Sequence, residues 1–369
     1  MKTLLSPIRW LLVLAAVVLV LASFAPLLRS DVWWVRMTDF PRLQYLLALV
    51  AVGALLAVLP RAKRRGPGRG GWRRSAWGAL VLAMLGAGAY DAWTLAPYFT
   101  GRPGPDRACR DDDGFSVMVA NVQLGNRQAD RLSRIVRDAK PDILLALETD
   151  EWWHRQLTSL TDEMPYTEKR LTGSYFGIHL LSRLPLARSE TVLPVEQDAP
   201  AISAVVRLAS GREVRFLGLH PRPPHPGQSS VGRDAQLVWA ARQAVAAEMP
   251  VVVAGDFNWV PWETTLELMQ RVGQLVDPRQ LYGYVASFDA KSRLMRWPLD
   301  QILHGPGLDV LSFERLPAFG SDHFPILARL CVREGQQTPP PLRDGDLERA
   351  DAIVAAALRG PREEVGDED

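Results

Sequence analysis

Three long apolar runs dominate the first hundred residues of the chain. They lie at about residues 10–28, 43–60 and 76–96 and consist mainly of Leu, Val, Ala and Gly. Each is close to the ~20 residues that a helix needs to cross the hydrocarbon of a bilayer. Buried core helices would also be apolar, but three such runs with basic flanks are typical of a membrane domain. The pattern therefore predicts a transmembrane region with three helices over residues 1–98.

Basic residues between these runs predict the orientation of the region. Seven of them, without an acidic residue, stand between the second and third runs: Arg61, Lys63, Arg64, Arg65, Arg69, Arg73 and Arg74. Cytoplasmic loops are the ones enriched in Lys and Arg. We therefore expect a multi-pass protein of a cell membrane with a cytoplasmic N-terminus, and the chain after about residue 97 outside the cytoplasm. A signal peptide cleaved at residues 21–23 is the alternative and would leave that segment on the same side.

After a Gly- and Pro-rich linker at residues 99–114, the pattern changes to short alternating elements. Strand-like runs lie at residues 115–121, 142–147, 202–208, 213–219, 251–254, 299–303, 309–315 and 325–332. Apolar positions at helical spacing predict helices at residues 128–139 and 231–247. Many short strands with few helices indicate an α/β domain over residues 115–332, with stacked sheets covered by helices.

Residues 333–369 are polar, and prolines interrupt them at 339–341. This composition predicts a mostly disordered tail. Residues 347–358 could form a short helix within it, and a partner-binding helix there is the functional alternative.

The two cysteines of the chain frame the α/β domain. Cys109 precedes its first predicted strand and Cys331 lies at the end of its last one. In a domain outside the cytoplasm this arrangement favours a disulfide between Cys109 and Cys331. Two unrelated buried thiols are the alternative.

Polar side chains recur where the predicted strands end or begin. They are Asn121, Glu148, His220, Asp256, Asn258, Asp300, Asp322 and His323. Taken singly, each could be a turn former, a helix cap or a loop histidine. Their recurrence at strand ends instead indicates a common site, because carboxylates, amides and imidazoles together can bind a hard cation and activate water.

Two of these clusters resemble the signatures of a known family. Residues 255–258 read Gly-Asp-Phe-Asn and residues 321–323 read Ser-Asp-His. With the other polar residues in order, they make residues 115–332 similar to the endonuclease/exonuclease/phosphatase family, which includes deoxyribonuclease I and neutral sphingomyelinases. The sequence His-Pro-Arg-Pro-Pro at 220–224 resembles membrane-anchored bacterial members, which implies a bacterial inner membrane and a periplasmic or extracellular catalytic domain. The implied fold is a four-layer α/β/β/α sandwich with two mostly antiparallel sheets.

The resemblance also implies roles for the clustered residues. Glu148 is the expected main Mg²⁺ ligand, supported by Asn121 and Asp322, and Mn²⁺ is a possible substitute. Asp256 orients or deprotonates the attacking water, and Asn258 binds the phosphate. His323, oriented by Asp300, contacts the scissile phosphate, and His220 stabilises the transition state or protonates the leaving oxygen.

Two positions add to or depart from that pattern. Arg222 is an additional candidate for phosphate binding, with a surface arginine in a proline-rich loop as the alternative. Some nucleases of the family carry an acidic residue two positions after the first Asn, where this chain has Gln123. One contribution to the metal shell is therefore missing or supplied by water.

The charge of the domain bears on its substrate. Residues 115–332 contain 23 Lys and Arg against 24 Asp and Glu, a net charge of −1, whereas duplex binding needs a basic surface. We expect a membrane-embedded, Mg²⁺-dependent phosphoesterase that hydrolyses a phosphodiester or phosphomonoester of a lipid head group, a small molecule or nucleic acid. A nuclease and a sphingomyelinase-like phospholipid phosphodiesterase are the close alternatives, and a non-catalytic membrane binding module is a third. No protein partner is predicted.

Overall fold

The structure is a computed structural model. It describes residues 5–28, 30–59, 70–103, 108–195, 199–223, 229–333, 335 and 337–359. The chain divides into two compact units, residues 1–99 and 100–369. Residues 61–69 of the basic loop, residues 104–107 of the linker and the last ten residues lie outside the described residues, so what the sequence predicts for them stays a prediction.

The first unit is helical. Its helices are α1 (Leu5–Phe24), α2 (Trp33–Met37), α3 (Arg42–Val58), α4 (Gly70–Leu95) and α5 (Pro97–Thr100). By length and composition, the stretches Pro7–Leu28 and Ser75–Leu95 could cross a membrane, whereas α3 is apolar but has 17 residues. All three predicted runs are thus helical. That each of them crosses a membrane stays a prediction.

A buried polar cluster joins three of these helices. Arg42 of α3 lies 2.7 Å from Asp39 and 3.0 Å from Asp91 of α4. The hydroxyl of Ser23 in α1 donates a 2.8 Å hydrogen bond to Asp91. Arg42 and Asp91 are almost completely buried. Because a buried charge is tolerated only when it is paired, the cluster fixes α1, α3 and α4 against one another.

The second unit contains two β-sheets. Its strands are β1 (Gly114–Asn121), β2 (Ile143–Leu147), β3 (Tyr166–Arg170), β4 (Ile178–Ser182), β5 (Leu186–Val192), β6 (Ala201–Arg207), β7 (Glu213–Leu219), β8 (Val251–Asp256), β9 (Asp300–His304), β10 (Leu308–Arg315) and β11 (Ile326–Val332). The helices are α6 (Ala129–Ala139), α7 (Glu151–Leu157), α8 (Val231–Val245), α9 (Thr264–Gly273), α10 (Arg279–Tyr282) and α11 (Asp346–Arg359).

The strand order is β10-β11-β1-β2-β4-β3 in the first sheet and β5-β6-β7-β8-β9 in the second. Each sheet has one parallel pair, β1 with β2 and β7 with β8, and all its other pairs are antiparallel. Two mostly antiparallel sheets are therefore confirmed. A parallel pair needs a crossover connection, and α6 and α8 lie in these two connections.

The two sheets pack face to face through apolar side chains such as Val117 and Leu145 of the first and Phe216 of the second. The other face of the first sheet packs against α6 and α7, with Leu132 and Trp153 in the contact. Helices α8 and α9 pack together next to β8. Strands that are covered on both faces are apolar throughout, which explains their continuous apolar runs.

The C-terminal segment contains a helix that packs against the rest of the second unit. Helix α11 packs against α8 and α9. At its start, Asp346 accepts hydrogen bonds of 2.7 and 2.9 Å from the guanidinium of Arg271, and both side chains are buried. The short helix that the sequence allows at residues 347–358 is thus present as α11, and a mostly disordered tail at 333–369 stays a prediction. Tertiary contacts and a buried ion pair compensate for a composition that is too polar to fold alone.

A disulfide joins Cys109 to Cys331, with a sequence separation of 222 residues. Cys331 is at the end of β11, where it pairs in register with Gly114 at the start of β1. The antiparallel register thus brings the segment before β1 next to the last strand, which is why two cysteines so far apart in sequence can bond.

Candidate active site

The predicted site residues come together at one edge of the two sheets. Asn121 ends β1 and Asp256 ends β8, while Glu148 and His220 directly follow β2 and β7. These are the strands of the two parallel pairs, and parallel neighbours end at the same edge of a sheet. The amide of Asn121 donates a 3.0 Å hydrogen bond to Oδ2 of Asp256. The sheet edges that carry the predicted site residues are therefore in direct contact with each other.

Asp256 is the centre of this arrangement. Besides the hydrogen bond from Asn121, its Oδ2 atom lies 3.5 Å from Nε2 of His323 and 3.9 Å from Nε2 of His220. Its Oδ1 atom accepts a 2.9 Å hydrogen bond from the backbone N–H of Asn258. The carboxylate is 1 % exposed. Asp256 is thus surrounded by donors, in a pocket where an unpaired charge would be unstable.

His323 is held between two carboxylates. Its Nδ1 atom lies 2.7 Å from Oδ2 of Asp300, and its Nε2 atom faces Asp256. Burial by itself lowers the pKa of His323, but the charges of Asp300 and Asp256 outweigh it and raise this pKa to about 10. The raised pKa favours the protonated form of the imidazole, in which both ring nitrogens are donors.

The backbone around Asp300 is fixed by residues that the sequence did not point to. Asp300 accepts a hydrogen bond at its carbonyl oxygen from Nη2 of Arg279. Nη1 of Arg279 also binds Asp277 at 3.0 Å and Oε1 of Gln301 at 2.6 Å. The backbone N–H of Asp300 donates to Ser287 at 3.0 Å. Arg279 lies in the short helix α10 and carries no motif, so the sequence held no signal for it.

Asn121 also connects Asp256 to Glu148. Its amide nitrogen donates to Oε1 of Glu148 at 2.9 Å as well as to Asp256. The second oxygen of Glu148 accepts a 3.0 Å hydrogen bond from the backbone N–H of Leu124. The turn that follows β1 therefore fixes the carboxylate that we expect to be the main metal ligand.

Asp322 approaches the same turn from the other side. Its Oδ2 atom accepts a 2.8 Å hydrogen bond from Gln123, whose carbonyl oxygen accepts another from Lys291. Ser321 donates to the backbone carbonyl of Asn121 at 2.8 Å and accepts from the backbone N–H of His323 at 2.9 Å. Gln123 therefore bonds with one of the predicted ligands. Lys291 is a further neighbour that the sequence did not indicate.

The loop after β7 forms another side of the site. His220 is buried, and its ring centroid lies 5.9 Å from that of Phe176. The guanidinium of Arg222 stacks over the same Phe176 ring at 5.1 Å. Asn258 donates from its side chain to the carbonyl of Pro221 at 3.0 Å and so ties this loop to β8. Pro224, the last residue of the motif, lies outside the described residues.

Three site residues have left-handed backbone conformations. The φ angle is 57° at Gln123, 60° at Glu148 and 54° at Asn258. The other two non-glycine cases among the described residues, Lys140 and Gln274, directly follow helices, where this conformation is common. A left-handed residue with a side chain costs about 1 kcal/mol. Such strain persists where surrounding contacts fix it, and it is frequent at functional sites.

Two sets of residues could hold a metal ion. In the described part of the chain, one trio, Asp256, Asp300 and His323, brings carboxylate or imidazole ligand atoms within 4.8 Å of one another. Metal binding at this trio would need the neutral form of His323, because a protonated imidazole has no lone pair for a metal. Glu148 and Asp322 fit a hard cation, because each oxygen that accepts one hydrogen bond retains lone pairs for a metal. The ligand set of Asn121, Glu148 and Asp322 stays a prediction.

The sequence comparison identifies the family. The sequence model of the endonuclease/exonuclease/phosphatase family matches residues 118–323, more than half of the chain. The chain belongs to this family, as its motifs predict. No curated protein sequence matches it significantly.

Solved structures show the same fold at low sequence identity. D. rerio TDP2 humanized by 14 mutations has a TM-score of 0.52 and 17% identity, covering 59% of this chain and 99% of its own. D. rerio TDP2 complexed with single strand DNA product has a TM-score of 0.52 and 16% identity, over 59% of this chain and 99% of the TDP2 chain. A functionally unknown conserved protein from Enterococcus faecalis has a TM-score of 0.51 and 16% identity, over 59% of this chain and 100% of its own chain. These similarities support the fold of the second unit.

Proposed function

We propose that the protein is a membrane-anchored, Mg²⁺-dependent phosphoesterase that hydrolyses a phosphodiester or phosphomonoester by attack of water, with Mn²⁺ as a possible substitute. The observation that carries this proposal is His323, held 2.7 Å from Asp300 and 3.5 Å from Asp256. A buried cationic donor next to a buried carboxylate provides both a group for phosphate oxygens and a group for water.

The residues divide the chemistry among them. Asp256 accepts a proton from the attacking water or orients it, because Asn121 and the Asn258 backbone hold its two oxygens. His323 donates to a phosphate oxygen as negative charge gathers there. Asn258 and Arg222 contact the phosphate, and His220 stabilises the transition state or protonates the leaving oxygen. A cation held by Glu148, Asp322 and Asn121 would supply Lewis acidity to the phosphate.

The location outside the cytoplasm rests on two features. The first unit has two helical stretches of membrane-spanning length and composition. The second unit contains a disulfide between Cys109 and Cys331, and disulfides persist mainly in oxidising compartments. Together with the basic residues at 61–74, they favour a multi-pass bacterial inner-membrane protein with a periplasmic or extracellular catalytic domain.

The candidate substrates are a small phosphate ester, a phospholipid and nucleic acid, and the domain's net charge of −1 does not favour duplex nucleic acid. The full-length protein should therefore be purified in detergent and assayed with bis-p-nitrophenyl phosphate, a phospholipid and DNA. We expect turnover that needs Mg²⁺ and that falls at least about 100-fold in Asp256→Ala. Wild-type turnover no higher than that of Asp256→Ala on all three substrates would favour the non-catalytic alternative.

Metal binding can be tested separately from turnover. A ligand that binds the folded state raises the unfolding temperature. We expect Mg²⁺ to raise the unfolding temperature in the wild type and in Glu213→Gln, which removes a partly exposed carboxylate paired with Arg207. Glu148→Gln should lose most of the rise. An equal Mg²⁺ response in Glu148→Gln would show that Glu148 is not the main ligand.

A further inference from the structure

A short hairpin projects from the site. Its base is the pair Phe288 and Trp297, whose backbones hydrogen-bond to each other and whose rings stack with centroids 6.1 Å apart. The next rung joins the N–H of Asp289 to the carbonyl of Met295. At the tip, Ser292 accepts from the backbone N–H groups of Leu294 and Met295. Residues 288–297, here called the site hairpin, thus form a defined structure.

The site hairpin is attached directly to the proposed catalytic residues. The Phe288 ring lies 4.9 Å from the ring of His323. The backbone N–H of Ala290 donates to the carbonyl of Asp322 at 2.6 Å. Lys291 donates to Gln123 at 2.8 Å. The first strand of the hairpin is therefore anchored directly beside the proposed catalytic residues.

The tip is apolar and basic at once. Leu294 is 82 % exposed and Met295 is 45 % exposed, although both stand in a hydrogen-bonded turn. Lys291 and Arg293 are exposed beside them, and Arg296 lies partly buried over the ring of Phe324. Asp289 is the one acidic residue of the hairpin, and it accepts a hydrogen bond from the backbone of Lys291.

We propose that the site hairpin docks on the surface of an anionic phospholipid bilayer and that the substrate is a phospholipid head group presented there. This inference rests on the proposed phosphoesterase function and names its substrate class. Leu294 and Met295 enter the acyl boundary, where apolar side chains leave water. Lys291 and Arg293 stay at the head-group level, where anionic lipids attract basic residues.

The composition of the tip favours lipid over nucleic acid. Single-stranded nucleic acid is bound by aromatic side chains that stack on bases, together with cations. Residues 289–296 contain no aromatic side chain. Exposed aliphatic side chains next to cations instead match the layered chemistry of a bilayer surface, with hydrocarbon below and negative charge above.

The docking can be measured without any catalytic readout. The native cysteines are paired, so a nitroxide can be attached selectively to full-length Leu294→Cys in lipid nanodiscs. Ala209→Cys, in the exposed β6–β7 turn at the opposite end of these strands from the site, is the matched control. In nanodiscs with phosphatidylglycerol we expect the Leu294 label to be more accessible to oxygen and less accessible to a polar nickel reagent than the Ala209 label. The Ala209 label should show the accessibility of a site in water.

Two outcomes of the labelling would overturn the docking. One is a Leu294 label as water-exposed as the Ala209 label in phosphatidylglycerol nanodiscs. The other is a label that stays in water with the lipid but is shielded when single-stranded DNA is added, which would assign the hairpin to nucleic acid.

The substrate is tested with the double variant Leu294→Asp, Met295→Asp. We expect its hydrolysis of nanodisc phospholipid to fall at least about tenfold, with turnover of soluble bis-p-nitrophenyl phosphate unchanged. Wild-type turnover of the soluble ester but not of phospholipid would overturn the lipid substrate. If the wild type hydrolyses neither, the proposed function fails, and the label depths still decide whether the hairpin docks.

Discussion

The Nδ1 atom of His323 lies 2.7 Å from Oδ2 of Asp300, in a pocket where both side chains are buried. The two residues come from different elements, because Asp300 opens β9 whereas His323 precedes β11. Arg279 and Ser287 fix the backbone of Asp300, so the carboxylate is a rigid support. This pair orients the imidazole so that its other nitrogen faces Asp256.

Replacing the Asp300 carboxylate should lower kcat without unfolding the protein. Asp300→Asn keeps the shape and one acceptor oxygen but removes the charge that keeps His323 cationic. We expect kcat to fall about 100- to 1,000-fold, with a smaller change in KM, in assays with bis-p-nitrophenyl phosphate. Asp346→Asn, which removes a buried carboxylate at the start of α11, should keep wild-type kcat. Equal losses in both variants would point to a general structural effect.

Gly255 should tolerate no side chain. Its φ is 148°, and a Cβ atom would lie 1.8 Å from the carbonyl oxygen of Leu219 on the neighbouring parallel strand. We expect Gly255→Ala to lower the free energy of unfolding by more than about 3 kcal/mol, measured by chemical denaturation. Gly211 also has a positive φ but open space around it. Gly211→Ala should therefore cost about 1 kcal/mol, and equal effects would contradict the steric argument.

The disulfide should contribute strongly to stability. It links two residues that are 222 positions apart in sequence. For a loop of this length, the reduced entropy of the unfolded chain alone stabilises the folded state by up to about 5 kcal/mol. Cys109→Ser should lower the denaturation midpoint of the second unit. Dithiothreitol should lower the wild-type midpoint to the same value and leave the variant unchanged. A midpoint insensitive to both changes would show that the bond contributes nothing.

Acid should destabilise the protein through a buried histidine. Burial, with the nearby His154 and Lys169, lowers the pKa of His179 to about 3. An unfolded chain has a histidine pKa of ~6.5. Between these values the unfolded state binds a proton that the folded state does not, so the contribution of His179 to stability falls as the pH falls, by about 1.4 kcal/mol per pH unit. The raised pKa of His323 acts in the opposite direction, so the effect of His179 is read from the difference between the wild type and a His179 variant.

The measurement is the free energy of unfolding at pH 7 and pH 5. From pH 7 to pH 5, the free energy of unfolding should fall less in His179→Gln than in the wild type. In His154→Gln, which changes a partly exposed histidine, it should fall nearly as much as in the wild type. Burial also lowers the pKa of His304, so some acid sensitivity should remain in His179→Gln. An identical pH dependence in His179→Gln and the wild type would refute the role of His179.

Much of the site could be read from local patterns. Apolar runs that end in Asn121, Glu148 or Asp256 mark strand ends, because a strand buried on both faces must be apolar up to the edge. The two signature tetra- and tripeptides identified the family. The pattern did not reveal β3 and β5, since Tyr166–Arg170 and Leu186–Val192 are largely polar and lie at sheet edges. It also missed β4, although Ile178–Ser182 is buried.

The sequence by itself determined most strands and helices of the core, though not β4 or α9, and which residue types stand at the strand ends, because the spacing of apolar residues records which segments are buried. Only the tertiary structure decided that Asn121 bonds with Asp256, 135 residues away, that Arg279 supports Asp300, and that α11 packs on α8. Those contacts depend on strand order and sheet stacking, in which distant segments meet through shared burial that no local pattern encodes. The Leu294 tip of the site hairpin belongs to the same class. No local pattern marked its sequence as functional, and only the tertiary structure places the hairpin beside His323.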